Sequence, residues 1–346
     1  MDRASAIACP APAEAGFFAP SEPAEASLHV VPRPRLATRR HLLGLEGTSR
    51  ERILELLDAA GLYREKLRAG RWRSDALRGV AVCNAFFEDS TRTRVSFELA
   101  AQRLGAMHVT FGESGTSVSK GESLLDTLRV VTSMGVDAVI VRHRSSGVPG
   151  FLARHLDASV INAGDGEHEH PTQGLLDLMT LRDAWGGRFE GKRLAIVGDI
   201  AHSRVARSAI RGLNALGATV TVCGPGTLMP RDIESPGCTI APTLEDALEN
   251  ADAAMALRLQ RERMERGLLP SLAEYSRVWG LTAERARLMK EDAVVMHPGP
   301  MNRGVEIMPD VADGGRSVIF DQTANGLAVR CAVLSWCVTG DAEAAV

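Results

Sequence analysis

An α/β protein with two doubly wound parallel-sheet domains is what this sequence predicts, and three observations predict it. Short apolar runs alternate with amphipathic segments, as they do where strand-helix units feed a parallel sheet. A Gly-rich segment, WGGRFEGK at residues 185–192, interrupts that alternation, and a second series begins after it. The length, 346 residues, exceeds what one hydrophobic core normally serves. The expected division is a flexible N-terminal arm over 1–37, a first domain over 38–184, a second over 185–320, and a C-terminal helix over 321–346 that packs back on the first domain.

The first series starts at HLLGLEGTSRERILELLDAAG, where Thr48 and Glu51 have capping-box spacing and Ile53, Leu56, Leu57 and Ala60 line one helix face. There follow the strand-like GVAVCNAFF, a helix from Thr91, the strand MHVTF and the helix ESLLDTLRVVTSMG. Then come the strand VDAVIVRH, a helix near GFLARHLDA, the strand SVINAG and the helix PTQGLLDLMTLRDAWG. The second series reads RLAIVGD, SRVARSAIRGLNALG, ATVTVCGP, TLEDALEN and ADAAMALRL, then one helical stretch over 271–289, AVVMHPGP and SVIF. The closing DQTANGLAVRCAVLSWCVTG has helical periodicity.

Composition narrows the class. Hydrophobic residues make up 45% and charged residues 24%, with a formal charge of −3, an ordinary globular balance that implies no bulk nucleic-acid affinity. No apolar stretch approaches the roughly 20 residues a bilayer span needs, so a soluble protein without membrane contact is expected. Six cysteines lie scattered without C-x-x-C spacing, several in apolar runs, which favours reduced buried thiols and the cytoplasm. The first forty residues are rich in Ala, Pro and Glu and lack the apolar core of a signal peptide.

In doubly wound sheets ligands bind beyond the carboxyl ends of strands, so the loops there carry the candidates. The stretch EDSTRTR, residues 88–94, gathers Ser90, Thr91, Arg92 and Thr93 at a strand-to-helix junction. Two readings stand open for it: a helix N-cap with a solvated charge run, or an anion cradle of backbone N–H groups, hydroxyls and a guanidinium fork. His170 and Gln173, at the next such junction, suit a substrate carbonyl or amide. His168 and His170 lack a recognisable third ligand, and no metal is expected. The turn GDIAHSR lacks the glycines that admit a pyrophosphate; instead Arg204 enters a helix N-terminus, where a cation opposes the dipole and so points to an anionic ligand. Arg258 and Gln260 share one side of an extended segment. The turn HPGP brings backbone close to a ligand at Gly299.

Taken in chain order, STRTR, SVSKGES, VRH, HPTQ, GDIAHSR, LRLQRER and HPGPMNRG resemble the aspartate/ornithine transcarbamoylase family over residues 38–338. Pro298, where the ornithine branch typically carries Cys, and the arginine-rich second half resemble the aspartate branch. The resemblance implies transfer of a carbamoyl group from carbamoyl phosphate to the amino group of L-aspartate, on the route to pyrimidines, without a cofactor. It implies that Ser90, Thr91, Arg92 and Thr93 grip phosphate and that Arg142 bridges phosphate and carbonyl. Thr93, Arg142 and His170 would polarise that carbonyl, with Gln173, Gly299 and Pro300 on the carbamoyl nitrogen. Arg204, Arg258 and Gln260 would orient aspartate, as would Lys120, which together with Ser117 reaches in from a neighbouring subunit of a homotrimer with shared sites. Some relatives assemble with dihydroorotase-like chains, and the N-terminal arm offers a place for such a partner. Asp89 departs from the family pattern, and its side chain is expected to turn away from the phosphate. The alternatives are a transcarbamoylase for another amino acid such as ornithine, or a silent scaffold subunit.

Overall fold

The computed structural model describes residues 39–112, 122–259 and 271–346. Helix α1 (Arg50–Arg68) begins one residue later than the expected capping box: the N-cap is Ser49, whose hydroxyl accepts from the Arg52 N–H. Thr48 instead turns its hydroxyl back onto the Gly44 carbonyl at 3.1 Å. Ser49 prevails because its backbone is extended and its oxygen lies within reach of an otherwise orphaned N–H.

The first sheet holds β1 (Ala81–Phe86), β2 (Met107–Gly112), β3 (Ala138–His143) and β4 (Ser159–Asp165), all parallel in the order β2-β1-β3-β4. The connecting helices are α2 (Thr91–Arg103), α3 (Leu124–Ser133) and α4 (Val148–Ala153), and α5 (Pro171–Ala184) leads out of the sheet. The second sheet is built from β5 (Arg193–Val197), α6 (Arg204–Ala215), β6 (Thr219–Cys223), β7 (Cys238–Ile240), α7 (Leu244–Leu248) and β8 (Ala253–Ala256). Helices α8 (Leu272–Trp279) and α9 (Ala283–Ala286), strand β9 (Val294–Met296), α10 (Pro309–Ala312) and α11 (Ile319–Thr339) complete the chain. Its parallel order is β7-β6-β5-β8-β9. Strand order reverses between β1 and β3 in one sheet and between β5 and β8 in the other, which opens a crevice at each reversal.

Alternation along each strand covers both faces, as an all-parallel sheet requires. In β1, Val82 and Phe86 join one core while Cys83 and Ala85 join another with α3 and α4. In β5, Leu194 and Ile196 extend the first of these cores into the second half of the chain, and Ala195 and Val197 face a separate cluster with α7. The shared core contains α5 and α6, which approach closely at two glycines. A β-carbon on Gly212 would stand 2.7 Å from Leu178, and one on Gly174 2.6 Å from Leu45. Helix α11 returns to the first half: Ser159 donates to the Cys337 carbonyl at 2.8 Å, and Tyr63 meets Ser335 at 2.8 Å. Both sheets belong to one compact unit.

Two sequence expectations give way here. The helical stretch over 271–289 divides into α8 and α9 at Gly280, whose backbone is extended and whose β-carbon, if present, would strike the Ser276 carbonyl at 2.4 Å. SVIF is not a strand: Ser317 makes a single bridge to Val295, and Ile319 and Phe320 already belong to α11. The thiols of Cys83, Cys223, Cys238, Cys331 and Cys337 are free and buried. Among the described residues no helix is long and apolar enough to cross a membrane.

Candidate active site

The chemistry-bearing residues gather at the carboxyl ends of strands from both sheets. After β1, residues 88–90 lead into α2. Ser90 is its N-cap, yet the serine hydroxyl caps nothing. Every other Ser or Thr N-cap among the described residues does accept from the first turn: Ser49, Ser123, Ser203, Thr243, Ser271 and Thr282. The start of α2 therefore keeps N–H groups without an internal acceptor, at the positive end of the helix dipole. Helix α5 starts in the same way, with His170 as N-cap and no side-chain cap, and Pro171 at its first position.

Arg142 is the penultimate residue of β3, paired in register with Phe86. Its guanidinium donates to the Ala163 carbonyl at 3.1 Å and to Glu88 at 3.2 Å. Arg204, at the first position of α6, is buried and donates to both Glu88 oxygens, at 2.9 and 2.7 Å. One carboxylate thus joins a guanidinium from each half of the chain. Gly164 eases this convergence: at φ +116° a side chain would be strained, and its β-carbon would press to 3.0 Å from both Arg142 and Arg204. Gly299 plays the same part in the turn after β9, its φ at +63° and its would-be β-carbon 2.0 Å from Arg92. The Gly299–Pro300 peptide is cis. The turn is braced from within, Gly299 N–H donating to His297 Nδ1 at 2.8 Å while His297 Nε2 meets Glu306 at 3.1 Å.

Electrostatics follow from this crowding of cations. Thr93 Oγ1 lies 3.4 Å from His170 Nε2. Burial, then Arg142, Arg204, Arg330 and Arg92, hold the His170 pKa well below the ordinary value of 6.5, so the imidazole is neutral at physiological pH. Desolvation, then Arg258, also lowers the pKa of Arg92, although its side chain keeps an exposed flank. Burial, then Arg92, brings Arg330 on α11 down to about 10. Its guanidinium lies 5.2 Å from the Phe97 ring centroid. Gln173 is half-buried and donates to Asp177 at 2.9 Å.

The structure brings Arg92, Thr93, Arg142, His170, Arg204, Arg258 and Gly299 into one neighbourhood, with Ser90 and Thr91 on the rim, and Gln173 one turn into α5. Ser117, Lys120 and Gln260 lie outside the described residues, as does the arm over 1–37. Asp89 is solvent-exposed. Sequence reasoning missed Glu88 and Arg330. The signal for Arg330 was present, a lone cation in the apolar run GLAVRCAVLSW; Glu88 sat unremarked inside the quoted motif. A cation position does exist where Glu46, His168 and Glu169 bring ligand atoms within 4.8 Å of one another. Arg211 fills it, at 2.6 Å from Glu46 and 2.7 Å from Glu169.

Two family models match in tandem: "Aspartate/ornithine carbamoyltransferase, carbamoyl-P binding domain" over residues 40–183, and "Aspartate/ornithine carbamoyltransferase, Asp/Orn binding domain" over 190–337. The chain belongs to the aspartate/ornithine carbamoyltransferase family. Among similar members, the aspartate carbamoyltransferase catalytic subunit of Myxococcus xanthus is 54% identical over 298 residues, covering 86% of this chain and 99% of the relative. That of Gemmatimonas aurantiaca is 53% identical over 306 residues, 88% of this chain and 96% of its own. Solved carbamoyltransferases of both branches share the fold. Aspartate transcarbamoylase from Trypanosoma cruzi in complex with carbamoyl aspartate and phosphate superposes with a TM-score of 0.77 at 31% identity, covering 89% of this chain and 98% of that one. Ornithine carbamoyltransferase from Pyrococcus furiosus gives 0.77 at 29% identity, over 88% and 98%.

Proposed function

We propose that this chain is an aspartate carbamoyltransferase: it transfers the carbamoyl group of carbamoyl phosphate to the amino group of L-aspartate, giving N-carbamoyl-L-aspartate and phosphate on the way to pyrimidines. The observation that carries the reading is the convergence of Arg142 and Arg204, one from each half of the chain, on Glu88 beside Gly164. Two anionic substrates need cations from two directions, and a fixed pair of guanidinium groups supplies them without reorganisation. In this reading residues 38–184 form the carbamoyl-phosphate half, 185–320 the aspartate half, and 321–346 the helix that closes onto the first.

The phosphate lies at the start of α2, where Ser90, Thr91, Arg92 and Thr93 and the uncapped N–H groups meet its oxygens. Arg142, Thr93 and neutral His170 polarise the carbamoyl carbonyl. A neutral imidazole retains one N–H to donate there, without the cost of burying another cation among arginines. Gln173 and the backbone at Gly299 and Pro300 take the carbamoyl nitrogen. Arg204 and Arg258, with Gln260 and Lys120, hold the two carboxylates of the acceptor. The neutral amine of aspartate attacks the carbonyl carbon, the carbon–oxygen bond to phosphate breaks, and the departing phosphate takes up the amine proton. Alignment and oxyanion stabilisation supply the acceleration, with no covalent nucleophile on the protein.

The arginines favour a dicarboxylate over a diamino acid, since among the groups in contact with Arg204 the carboxylate of Glu88 is already committed. Purified protein is expected to carbamoylate aspartate and to leave ornithine essentially untouched, with inhibition by a bisubstrate phosphonate. The reverse preference overturns the assignment. A homotrimer with shared sites is part of the same reading, supported by the exposed apolar residues Met107 and Val109 on edge strand β2 and Met134 after α3. Mixing an Arg92→Ala chain with a Lys120→Ala chain should restore part of the activity in mixed trimers, and no recovery in verified mixtures refutes site sharing. Cytoplasmic location and a dihydroorotase-like partner on the N-terminal arm complete the proposal; deleting residues 1–37 should reduce particle mass in cell extract if the arm recruits that partner.

A further inference from the structure

We propose that Asp177 and Gln322 are positioning residues that fix the Gln173 side-chain amide with its oxygen outward, so that the site selects a carbamoyl group over an acyl group on the same phosphate. The inference rests on the reading that Gln173 meets the carbamoyl nitrogen. It starts from a group whose role admits no choice, the backbone N–H of His297, which only donates. That N–H lies 2.9 Å from Gln322 Oε1. The amide of Gln322 is therefore oriented, and its Nε2 donates to Asp177 Oδ1 at 2.7 Å. The same Asp177 oxygen also receives Gln173 Nε2 at 2.9 Å. With its nitrogen turned to Asp177, Gln173 has its carbonyl oxygen left as the end that can meet a ligand, and a carbonyl oxygen accepts only.

Burial makes the orientation firm. Asp177 is 1% and Gln322 2% exposed, so water offers no competing partner to the Gln322 amide or to the shared carboxylate oxygen, and that fixed acceptor sets which end of the half-buried Gln173 amide faces it. Ionisation does not matter either: charged, or neutral with its proton on the other oxygen, Asp177 keeps Oδ1 as an acceptor for both amides. The relay also spans the molecule. Gln322 stands on α11 and takes the N–H of His297, the residue whose Nδ1 holds the Gly299 N–H. The two groups proposed to grip the carbamoyl nitrogen, the Gln173 oxygen on α5 and the turn at Gly299, are thereby tied to each other through one buried carboxyl group. A methyl group in place of the amino group offers no hydrogen to that oxygen and leaves a polar atom unpaired, which is the costly kind of mismatch.

The test compares carbamoyl phosphate with acetyl phosphate, which carries methyl where the carbamoyl group carries NH2, as ligands of the full-length protein. The measured quantity is the ratio of the acetyl phosphate inhibition constant to the carbamoyl phosphate KM. Asp177→Leu removes the shared acceptor and should lower that ratio about tenfold, the scale of one hydrogen bond to a buried group. Asp177→Asn keeps an oxygen for both amides and should retain the wild-type ratio. Gln173→Ala should lower the ratio as far as Asp177→Leu does, and the double variant should lower it no further, as for residues acting through one contact. A wild-type ratio in Asp177→Leu overturns the proposal, as does an equal weakening of both ligands, which is what a merely structural role produces. Should Asp177→Leu fail to fold, Gln322→Met carries the same comparison from the other side of the relay. Failure of the wild-type protein to carbamoylate aspartate sinks the assigned function instead, so the two readings fail separately.

Discussion

Helices α2 and α6 occupy equivalent places, each following a strand at a reversal of sheet order, and they are finished differently. Helix α6 is capped in the usual way: Ser203 accepts from the Ala206 N–H, and the charge this helix start presents is a side chain, Arg204. Helix α2 starts with a serine of the same extended type, and its hydroxyl caps nothing. One end offers backbone N–H groups and hydroxyls at short range, which suits the tetrahedral face of a phosphate. The other offers a buried guanidinium held in place by Glu88, a planar fork that suits carboxylates. A helix start is thus tuned for binding by what is left off it.

The largest effect should come from the uncapped end. Arg92→Ala is expected to lower kcat/KM about 100-fold, the scale of one lost charge-assisted donor to a transition state; steady-state kinetics that match wild type remove Arg92 from the phosphate. Next in size is the link between the two ends. Glu88→Gln leaves one acceptor oxygen for two guanidinium groups and turns an amide N–H toward the other, so the aspartate KM should rise about tenfold. If both substrates are unaffected, the carboxylate is not what aligns Arg204.

A third test separates two buried groups of α5 by pH. A histidine titrates near 6.5 when unfolded, and in the fold His170 is held well below that, by burial first and the arginines second. Below about 6.5 the unfolded chain takes up the extra proton, so the His170 contribution to stability is present above that pH and lost as pH falls. Asp177 runs the other way. Burial raises it from 3.8 to about 7, so the folded chain binds the extra proton between those values, and its contribution declines as pH rises from about 4 to 7. Urea midpoints from pH 5 to 8 should therefore climb more steeply with pH in Asp177→Asn and less steeply in His170→Gln than in wild type, by at most ~1.4 kcal/mol per pH unit.

The smallest effect addresses the comparison most directly. Ser203→Ala should cost ~1 kcal/mol of stability, the worth of a working cap, measured by denaturant unfolding. Ser90→Ala should leave stability nearly unchanged and raise the carbamoyl phosphate KM severalfold. Equal destabilisation by both would mean that the two helix starts are alike after all.

What the sequence by itself determined is the periodic part and the cluster of motifs. Alternating apolar runs and amphipathic stretches give parallel strands and their covering helices, because burial of both sheet faces leaves a continuous apolar run as its mark. The junctions STRTR, HPTQ and GDIAHSR mark strand ends for the same reason: polar groups survive at a buried edge only where something binds them. Capping was legible only to within a residue, since Thr48 and Ser49 are both good caps and the chain's path past Gly44 decided between them. Only the tertiary structure decided that Glu88 joins Arg142 to Arg204 and that Gln322 reaches Asp177 across 145 residues. Those pairings depend on how two sheets and a returning helix meet, and hydrogen-bond geometry between elements far apart in the chain leaves no local pattern to read.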